Sequence, residues 1–288
     1  MLADYHLHTE YSDDSREKME KQVLRAIELG IQEICFTDHV DYGVKKDWSE
    51  GNIEYRDGDG MNYSPEEQDP LANVDYERYF PEIAQLREKY AGRIVIKTGL
   101  EFGIQTNTID QFEKLYQRYA DKLDFVLLSM HQVDNKELWD QAYQQGKNQK
   151  DYNEGYYKEI LEVQKLFKNY SVLAHLDLIK RYDLNGYYPF EKVQDFIAEI
   201  LKQAIKDGKG IEVNTSSWHY KIDGLMPSEQ ILKLYKDLGG KILTIGSDAH
   251  TTIYLGDHLR DTMDILRDSL GFETFCTFDH MKPVFHKL

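Results

Sequence analysis

Six of the ten histidines in this 288-residue chain end short apolar runs: His6 and His8 in DYHLH, His39 in ICFTDH, His131 in FVLLSMH, His175 in VLAHLD and His250 in LTIGSDAH. Glu101 closes IVIKTGLE in the same way, and Asp248 stands two residues before His250. A fold that ends strand after strand on imidazoles and carboxylates has to bring those ends together. The mouth of a parallel barrel does this, whereas an open sheet gathers its functional groups near one switch point. Such a donor set suits a cluster of divalent metals, and therefore hydrolysis.

The apolar runs read as strands at 3–7, 32–37, 94–100, 124–130, 171–175, 210–214 and 242–246. Helical patterns lie between them, among them REKMEKQVLRAIELG stopping on Gly30 and FEKVQDFIAEILKQAIKDG stopping on Gly208. Glycine ends a helix well because it takes left-handed dihedrals without steric cost. The alternation predicts an α/β fold with a parallel sheet closed into a barrel, irregular because seven strands rather than eight are available, and a single domain over 1–288. Three connections exceed what a barrel needs: 40–75, 132–155 and 176–189. The first holds ten acidic and three basic residues directly after a ligand-bearing strand, which predicts a lid or a substrate-selecting wall.

Charge and composition narrow the partners. A net charge of −16 with no lysine or arginine block argues against nucleic acid, which is held through contiguous basic surface. No apolar run is long enough to span a membrane and the N-terminus has no signal-peptide pattern, so the expected location is cytoplasmic, with no membrane partner. Cys35 and Cys276 have no CxxC spacing and are expected to be reduced bystanders. His6 and His8, two apart on a strand, point to one face and can grip one ion, and Asp248 and His250 repeat that spacing. Glu101, if buried, needs a compensating cation, which two bridged metals would supply.

HLHTEYSDDS at 6–15, TDH at 37–39, GLEFG at 99–103, SMH at 129–131, AHLD at 174–177 and SDAH at 247–250 resemble, in order, the successive motifs of the PHP (polymerase and histidinol phosphatase) superfamily. The chain length, the acidic insertion after TDH and the SMH context are similar to its histidinol-phosphate phosphatase branch. The resemblance implies the PHP fold, a distorted (β/α)7 TIM-like barrel, with three divalent ions (Mn, Fe or Zn). The first ion would take His6, His8, Glu101 and Asp248. The second would share Glu101 and add His131 and His175, and the third would take His39, His250 and Asp14. Asp14 stands where many family members have histidine; Asp13 could substitute through a small register change, and Asp38 would orient a ligating imidazole.

The implied reaction is hydrolysis of a small-molecule phosphomonoester, L-histidinol phosphate, by a hydroxide held between two metals bridged by Glu101. Arg181 is the preferred phosphate clamp, Arg16 the second, with Lys180 also in reach. Asp248 or a metal-bound water could protonate the leaving alcohol. The acidic insertion would suit the substrate's ammonium and imidazole, with Tyr42, Trp48, Tyr63 or Trp139 against the ring. Nucleotides, nucleic-acid ends and phosphotyrosine are the alternative substrates within the superfamily. A non-catalytic scaffold would have lost ligands that this chain retains.

Overall fold

The computed structural model describes residues 1–57 and 68–288. Each predicted apolar run holds a strand, with β3 continuing three residues past its run: β1 Ala3–Leu7, β2 Glu33–Phe36, β3 Val95–Gly103, β4 Phe125–Ser129, β5 Val172–Leu173, β6 Gly210–Asn214 and β7 Leu243–Gly246. β1, β2, β4, β6 and β7 are buried along their whole length. Parallel strands covered on both faces demand this, which is why their sequences are apolar with little alternation. Helices α1 Met19–Glu28, α2 Tyr76–Lys89, α3 Ile109–Tyr119, α4 Gln149–Leu166, α5 Phe190–Lys206, α6 Glu229–Asp237 and α7 Leu259–Asp264 lie between and after them. α5 shows how they pack: Val193, Ile197, Ile200, Leu201 and Ala204 recur at helical spacing and are all buried.

The strands pair in parallel in chain order from β1 to β7. Closure of β7 onto β1 happens beyond the last strand residue. Asp248 N donates to His6 O at 2.9 Å, His8 N donates to Ala249 O at 3.0 Å, and Leu7 and Ala249 form a parallel bridge. The result is a nearly closed barrel with the irregular seam that seven strands predict. Asp4 fastens that seam: its buried carboxylate accepts from Ser247 N at 2.8 Å, Ser247 Oγ at 2.6 Å and Gly256 N at 2.9 Å. Burial outweighs these bonds and pushes its carboxyl up to about 6.

Several boundaries differ from the sequence expectation. β5 is two residues long because His175 adopts φ 25° and leaves the ladder. The second long connection ends at 148 rather than 155: it opens with an antiparallel pair, Gln132–Val133 and Lys136–Glu137, and α4 then starts on Asn148, whose side chain accepts from Asp151 N at 3.0 Å. The third holds a 3-10 turn, Leu178–Tyr182, near its start. At the start of the first connection His39–Val40 pairs with β3 opposite Glu101 and Phe102, and within 40–75 Tyr55–Asp57 pairs with Gln68–Pro70.

Unforeseen is a C-terminal antiparallel hairpin, β8 Thr274–Asp279 and β9 Lys282–Lys287. Phe278 packs on Phe125 with ring centroids 5.0 Å apart, and its N–H donates to the Tyr5 hydroxyl at 2.8 Å, so the hairpin plugs the end of the barrel away from the histidines. Cys276 is in β8 and Cys35 in β2; both are buried and free. Among the described residues no helix is long and apolar enough to cross a membrane.

Candidate metal centre and active site

The nine expected ligands converge at the C-terminal ends of the barrel strands. Their donor atoms form four sets, the atoms of each within 4.8 Å of one another: His6, His8 and Asp248; His6, Glu101 and His175; His39, Glu101 and His131; and His8, Asp14, His39 and His250. Glu101 is the centre. Its Oε1 is 2.8 Å from His175 Nε2 and 3.1 Å from His131 Nε2. Its Oε2 is 3.1 Å from His6 Nε2, 3.1 Å from His39 Nδ1 and 3.3 Å from His8 Nε2. Asp14 Oδ2 lies 3.1 Å from His250 Nε2 and 3.4 Å from His39 Nε2. Compared with the expected partition, His6 also stands with His175 beside Glu101, and His8 also joins the Asp14 group.

Local backbone accounts for these positions. His6 lies in β1 and His8 just beyond it, on one face, with ring centroids 5.0 Å apart. Asp248 and His250 converge for a different reason than the strand alternation expected of them: β7 ends at Gly246 and Asp248 turns at φ 56°. Close approach dictates Gly103. A Cβ there would lie 1.7 Å from Asp41 Oδ1 and 2.8 Å from His131 Nδ1, so only glycine leaves room for the Asp41–His131 pair.

Each of four rings is oriented through its other nitrogen. His6 Nδ1 donates to Glu212 Oε1 at 2.6 Å, His131 Nδ1 to Asp41 Oδ1 at 2.8 Å and His250 Nδ1 to the Asp248 carbonyl at 3.0 Å, while His8 Nδ1 meets Ser12 Oγ at 3.1 Å. A ring protonated on Nδ1 presents the Nε2 lone pair to the centre. Glu212 and Asp41 escaped the sequence reading, although each left a trace: Glu212 is the lone charge in the apolar run GIEVN, and Asp41 follows His39 at strand spacing. Asp38 bonds no imidazole directly. It accepts from Thr9 N at 2.6 Å and Ser12 Oγ at 2.8 Å, and acts on His8 through Ser12. Asp13 is committed elsewhere, between Lys45 Nζ at 2.5 Å and Arg56 Nη2 at 2.9 Å, so the register change that would make it a ligand is not taken.

The donor set fits divalent ions. His8 Nε2, His39 Nδ1 and Asp14 Oδ1 are buried without a hydrogen-bond partner among the described residues, although carboxylate oxygens stand 3.1 to 3.3 Å from the first two. Burial opposes charge on the rings. Even so, Glu212, Glu101 and Asp248 hold His6 well above the usual imidazole range, and Asp41 and Glu101 push His131 up to about 9. Burial and the rings of His250 and His39 hold His8 well below that range. Carboxylates that draw positive charge, beside an imidazole kept neutral, make a site built for cations with nitrogen ligands. Burial would raise the Asp248 carboxyl, but His6, His8 and His250 hold it well below the usual carboxylate range.

The donors open into a cavity of about 210 Å³ lined also by Asp13, Lys45, Arg56, Glu137, Trp139, Arg181, Tyr182 and Tyr220. Arg181 stands at its wall, donating Nη2 to Ser216 Oγ at 2.6 Å, 3.6 Å from Asp248 Oδ2 and 3.8 Å over the Tyr220 ring. Its Nε is buried and unpartnered among the described residues. Arg16 does not reach the cavity: its guanidinium is turned to Asp69 Oδ1 at 2.6 Å and to the Gln68 carbonyl. Lys180 is held by Asp177 at 3.0 Å and by the Leu225 carbonyl. Of the aromatic candidates, Trp139 lines the cavity. Tyr42 is buried against Phe112 with its hydroxyl on Asp47, Trp48 lines a separate surface depression, and Tyr63 lies outside the described residues.

Comparison with known proteins agrees with this geometry. The PHP domain model matches residues 4–216. The chain is 30% identical to a histidinol-phosphatase of Lactococcus lactis subsp. lactis, covering 97% of this chain and 95% of that one. It is 24% identical to the histidinol-phosphatase of Bacillus subtilis, over 86% and 92% of the two chains. Among solved structures it is similar to the Lactococcus lactis histidinol phosphate phosphatase complexed with zinc, L-histidinol and phosphate, with a TM-score of 0.78, 29% identity and 98% coverage of both chains. The chain belongs to the PHP domain family, in its histidinol-phosphatase branch.

Proposed function

We propose that this protein is a metal-dependent phosphatase that hydrolyses L-histidinol phosphate to L-histidinol and phosphate, a step of histidine biosynthesis. The observation that carries this reading is the full-length likeness, in sequence and fold, to an enzyme that holds zinc, L-histidinol and phosphate. His6, His8, Asp14, His39, Glu101, His131, His175, Asp248 and His250 would hold three divalent ions, drawn from Mn, Fe or Zn as the mixed nitrogen and oxygen donors allow. Bound there, such ions lower the pKa of water and neutralise charge on a phosphoryl group.

The protein's own groups do the rest. Glu212, Asp41, Ser12 and the Asp248 carbonyl fix the ring tautomers. Arg181 offers guanidinium N–H groups to phosphate oxygens from a wall where Tyr220 and Asp248 already hold it in place. The insertion at 40–75 shapes specificity by bringing Asp41, Lys45, Arg56 and Asp69 to the cavity within a single 1–288 domain. Two buried free thiols support a reducing, cytoplasmic setting.

Phosphate release by the Mn- or Zn-loaded protein tests the reading, with L-histidinol phosphate compared against p-nitrophenyl phosphate, phosphotyrosine and a single-stranded oligonucleotide. The expected kcat/KM for L-histidinol phosphate exceeds the others by at least about 10²-fold, since a site built for a cationic substrate leaves its polar groups unpaired with the rest. Similar rates on all monoesters, or preference for the oligonucleotide, would overturn the substrate. Arg181→Met is expected to lower kcat/KM by roughly 10²-fold, with Arg181→Lys recovering only part because lysine offers a point charge in place of a fork. Steady-state kinetics of the two variants measures this; an Arg181→Met enzyme at wild-type efficiency would remove Arg181 from phosphate binding.

A further inference from the structure

Two of the four histidines outside the metal centre lie flat against aromatic rings. Trp218, His219 and Tyr220 follow one another on the connection after β6. His219 stacks on Tyr254, from the connection after β7, with centroids 4.2 Å apart and planes 15° from parallel, and also meets the Tyr220 ring at 4.0 Å. Trp218 stacks in the same way on His258, at 4.7 Å and 11°, and Thr215 Oγ1 donates to the Asp257 carbonyl at 2.7 Å. The connections after β6 and β7 are thereby fastened to each other. Tyr220 in turn carries Arg181, from the connection after β5, whose Cζ lies 3.8 Å over its ring centroid. Planar groups of three connections thus form one ladder: Tyr254, His219, Tyr220 and the Arg181 guanidinium.

The edge of that guanidinium keeps donors in reserve: Nη2 donates to Ser216 Oγ at 2.6 Å, while Nε is buried without a hydrogen-bond partner among the described residues. All five N–H donors of an arginine lie in its plane, so a partner on its face fixes the plane without consuming any of them. We propose that Tyr220 and His219 are positioning residues for Arg181, which hold its plane by ring stacking so that its N–H groups meet the phosphate. The proposal rests on the reading of Arg181 as the phosphate clamp. The Arg181 side chain is only 12% exposed, and a cation held over a ring away from water is bound more strongly than one at the surface. Tyr220 sits outside the sheet and needs bracing of its own, which His219 and Tyr254 supply. Burial, aided by the Arg181 charge, outweighs the pull of Asp248 and brings the His219 imidazole down to about 4. At neutral pH the ladder therefore sets no second positive charge beside the guanidinium. Neither Tyr220 nor His219 belongs to the donor sets for metal, so phosphate binding and metal binding should respond to them separately.

The experiment is inhibition of p-nitrophenyl phosphate hydrolysis by inorganic phosphate, with metal counted by atomic emission. The metal-loaded wild type is compared with Tyr220→Leu, Tyr220→Phe, His219→Leu, His219→Phe, Arg181→Met, and Arg181→Met combined with Tyr220→Leu. Tyr220→Leu is expected to raise the phosphate inhibition constant by about tenfold and His219→Leu by about threefold, the scale of a largely desolvated cation–π contact and of its brace. Tyr220→Phe and His219→Phe, which keep flat rings, are expected to recover most of each loss, with the metal content of the wild type throughout. Once Arg181 is gone, Tyr220→Leu is expected to add less than about twofold, since a residue that acts through another has nothing left to position. The proposal is overturned if the Tyr220→Leu constant stays within about twofold of wild type, or if its effect persists in full beside Arg181→Met. It is equally overturned if Tyr220→Phe loses as much as Tyr220→Leu, which would make the hydroxyl a direct phosphate ligand, or if metal falls in parallel with phosphate binding. An Arg181→Met constant equal to that of the wild type would remove the clamp and the ladder's role with it. Because the probe is phosphate alone, a protein without preference for L-histidinol phosphate would lose the substrate reading while the ladder stood.

Discussion

Glu101→Gln is expected to lower turnover of every phosphomonoester by at least about 10³-fold while leaving the barrel folded, because metal-assisted charge stabilisation and water activation depend on this carboxylate together. The side chain is fully buried and faces five imidazoles, those of His6, His8, His39, His131 and His175. An amide has nearly the same shape, so packing survives. It has no charge, however, and it turns an N–H₂ group toward nitrogens whose lone pairs are needed for metal. The Ser129 hydroxyl, which donates to Glu101 Oε1 at 2.6 Å, fixes which way the amide can sit. Metal counted by atomic emission should fall in parallel with activity, while far-UV circular dichroism keeps its α/β signature. Glu212→Gln serves as the graded comparison, since it touches His6 from behind and should cost about 10- to 100-fold in metal affinity. A Glu101→Gln protein within tenfold of wild-type turnover would contradict the central role given to this residue.

Much of this site is visible in the sequence for a physical reason. A parallel barrel exposes its strand ends at one mouth, so a polar group that follows an apolar run is placed by the run itself. That logic fits His6, His39, His131 and Glu101. It fails where the backbone leaves the strand before the functional residue. His175 at φ 25° and Asp248 at φ 56° reach the centre by turns, and nothing in their neighbours' composition announces left-handed dihedrals at non-glycine residues. It also fails for groups that act one layer out. Glu212 and Asp41 orient rings from positions where a carboxylate reads as an interruption of a strand or as loop polarity.

The remaining misses have similar causes. The C-terminal hairpin turns on His280 at φ 46° and Met281 at φ 64°, residues that give no turn signal of the Asn-Gly kind. Helix α4 opens with QKDYNEG, polar enough to pass for loop, and is recognisable only from its Asn148 cap. Arg16 was drawn toward the site by its place next to Asp14's turn. The antiparallel pair at 55–57 and 68–70, whose register no local signal specifies, supplies Asp69 as its actual partner. Arg56, seated in the cavity, was hidden by the same lack of long-range information.

Stripping the metals with a strong chelator is expected to abolish turnover and to lower the thermal midpoint by at least about 5 °C, with both restored by Mn or Zn. Binding to the native state alone stabilises by RT ln(1 + [L]/Kd), about 2.7 kcal/mol at a hundredfold excess over Kd, and 1 kcal/mol moves the midpoint of a domain of this size by about 2–4 °C. The geometry gives reason to expect no less. Without ions, Glu101, Asp14 and Asp248 are left with imidazoles packed ring on ring, His8 lying 4.2 Å from both His39 and His250 between centroids. Protonating the rings would satisfy the carboxylates but set like charges against each other in a buried cluster, and burial together with the His250 and His39 rings holds His8 well below the usual imidazole range. Bound cations relieve both conflicts at once. The midpoint of Glu101→Gln should then respond much less to chelator than that of the wild type, because the same ions are already weakly held. A stripped wild type, shown by atomic emission to carry less than about one ion per chain, that kept its midpoint and its turnover would mean that this cluster of histidines and carboxylates is not the protein's metal centre.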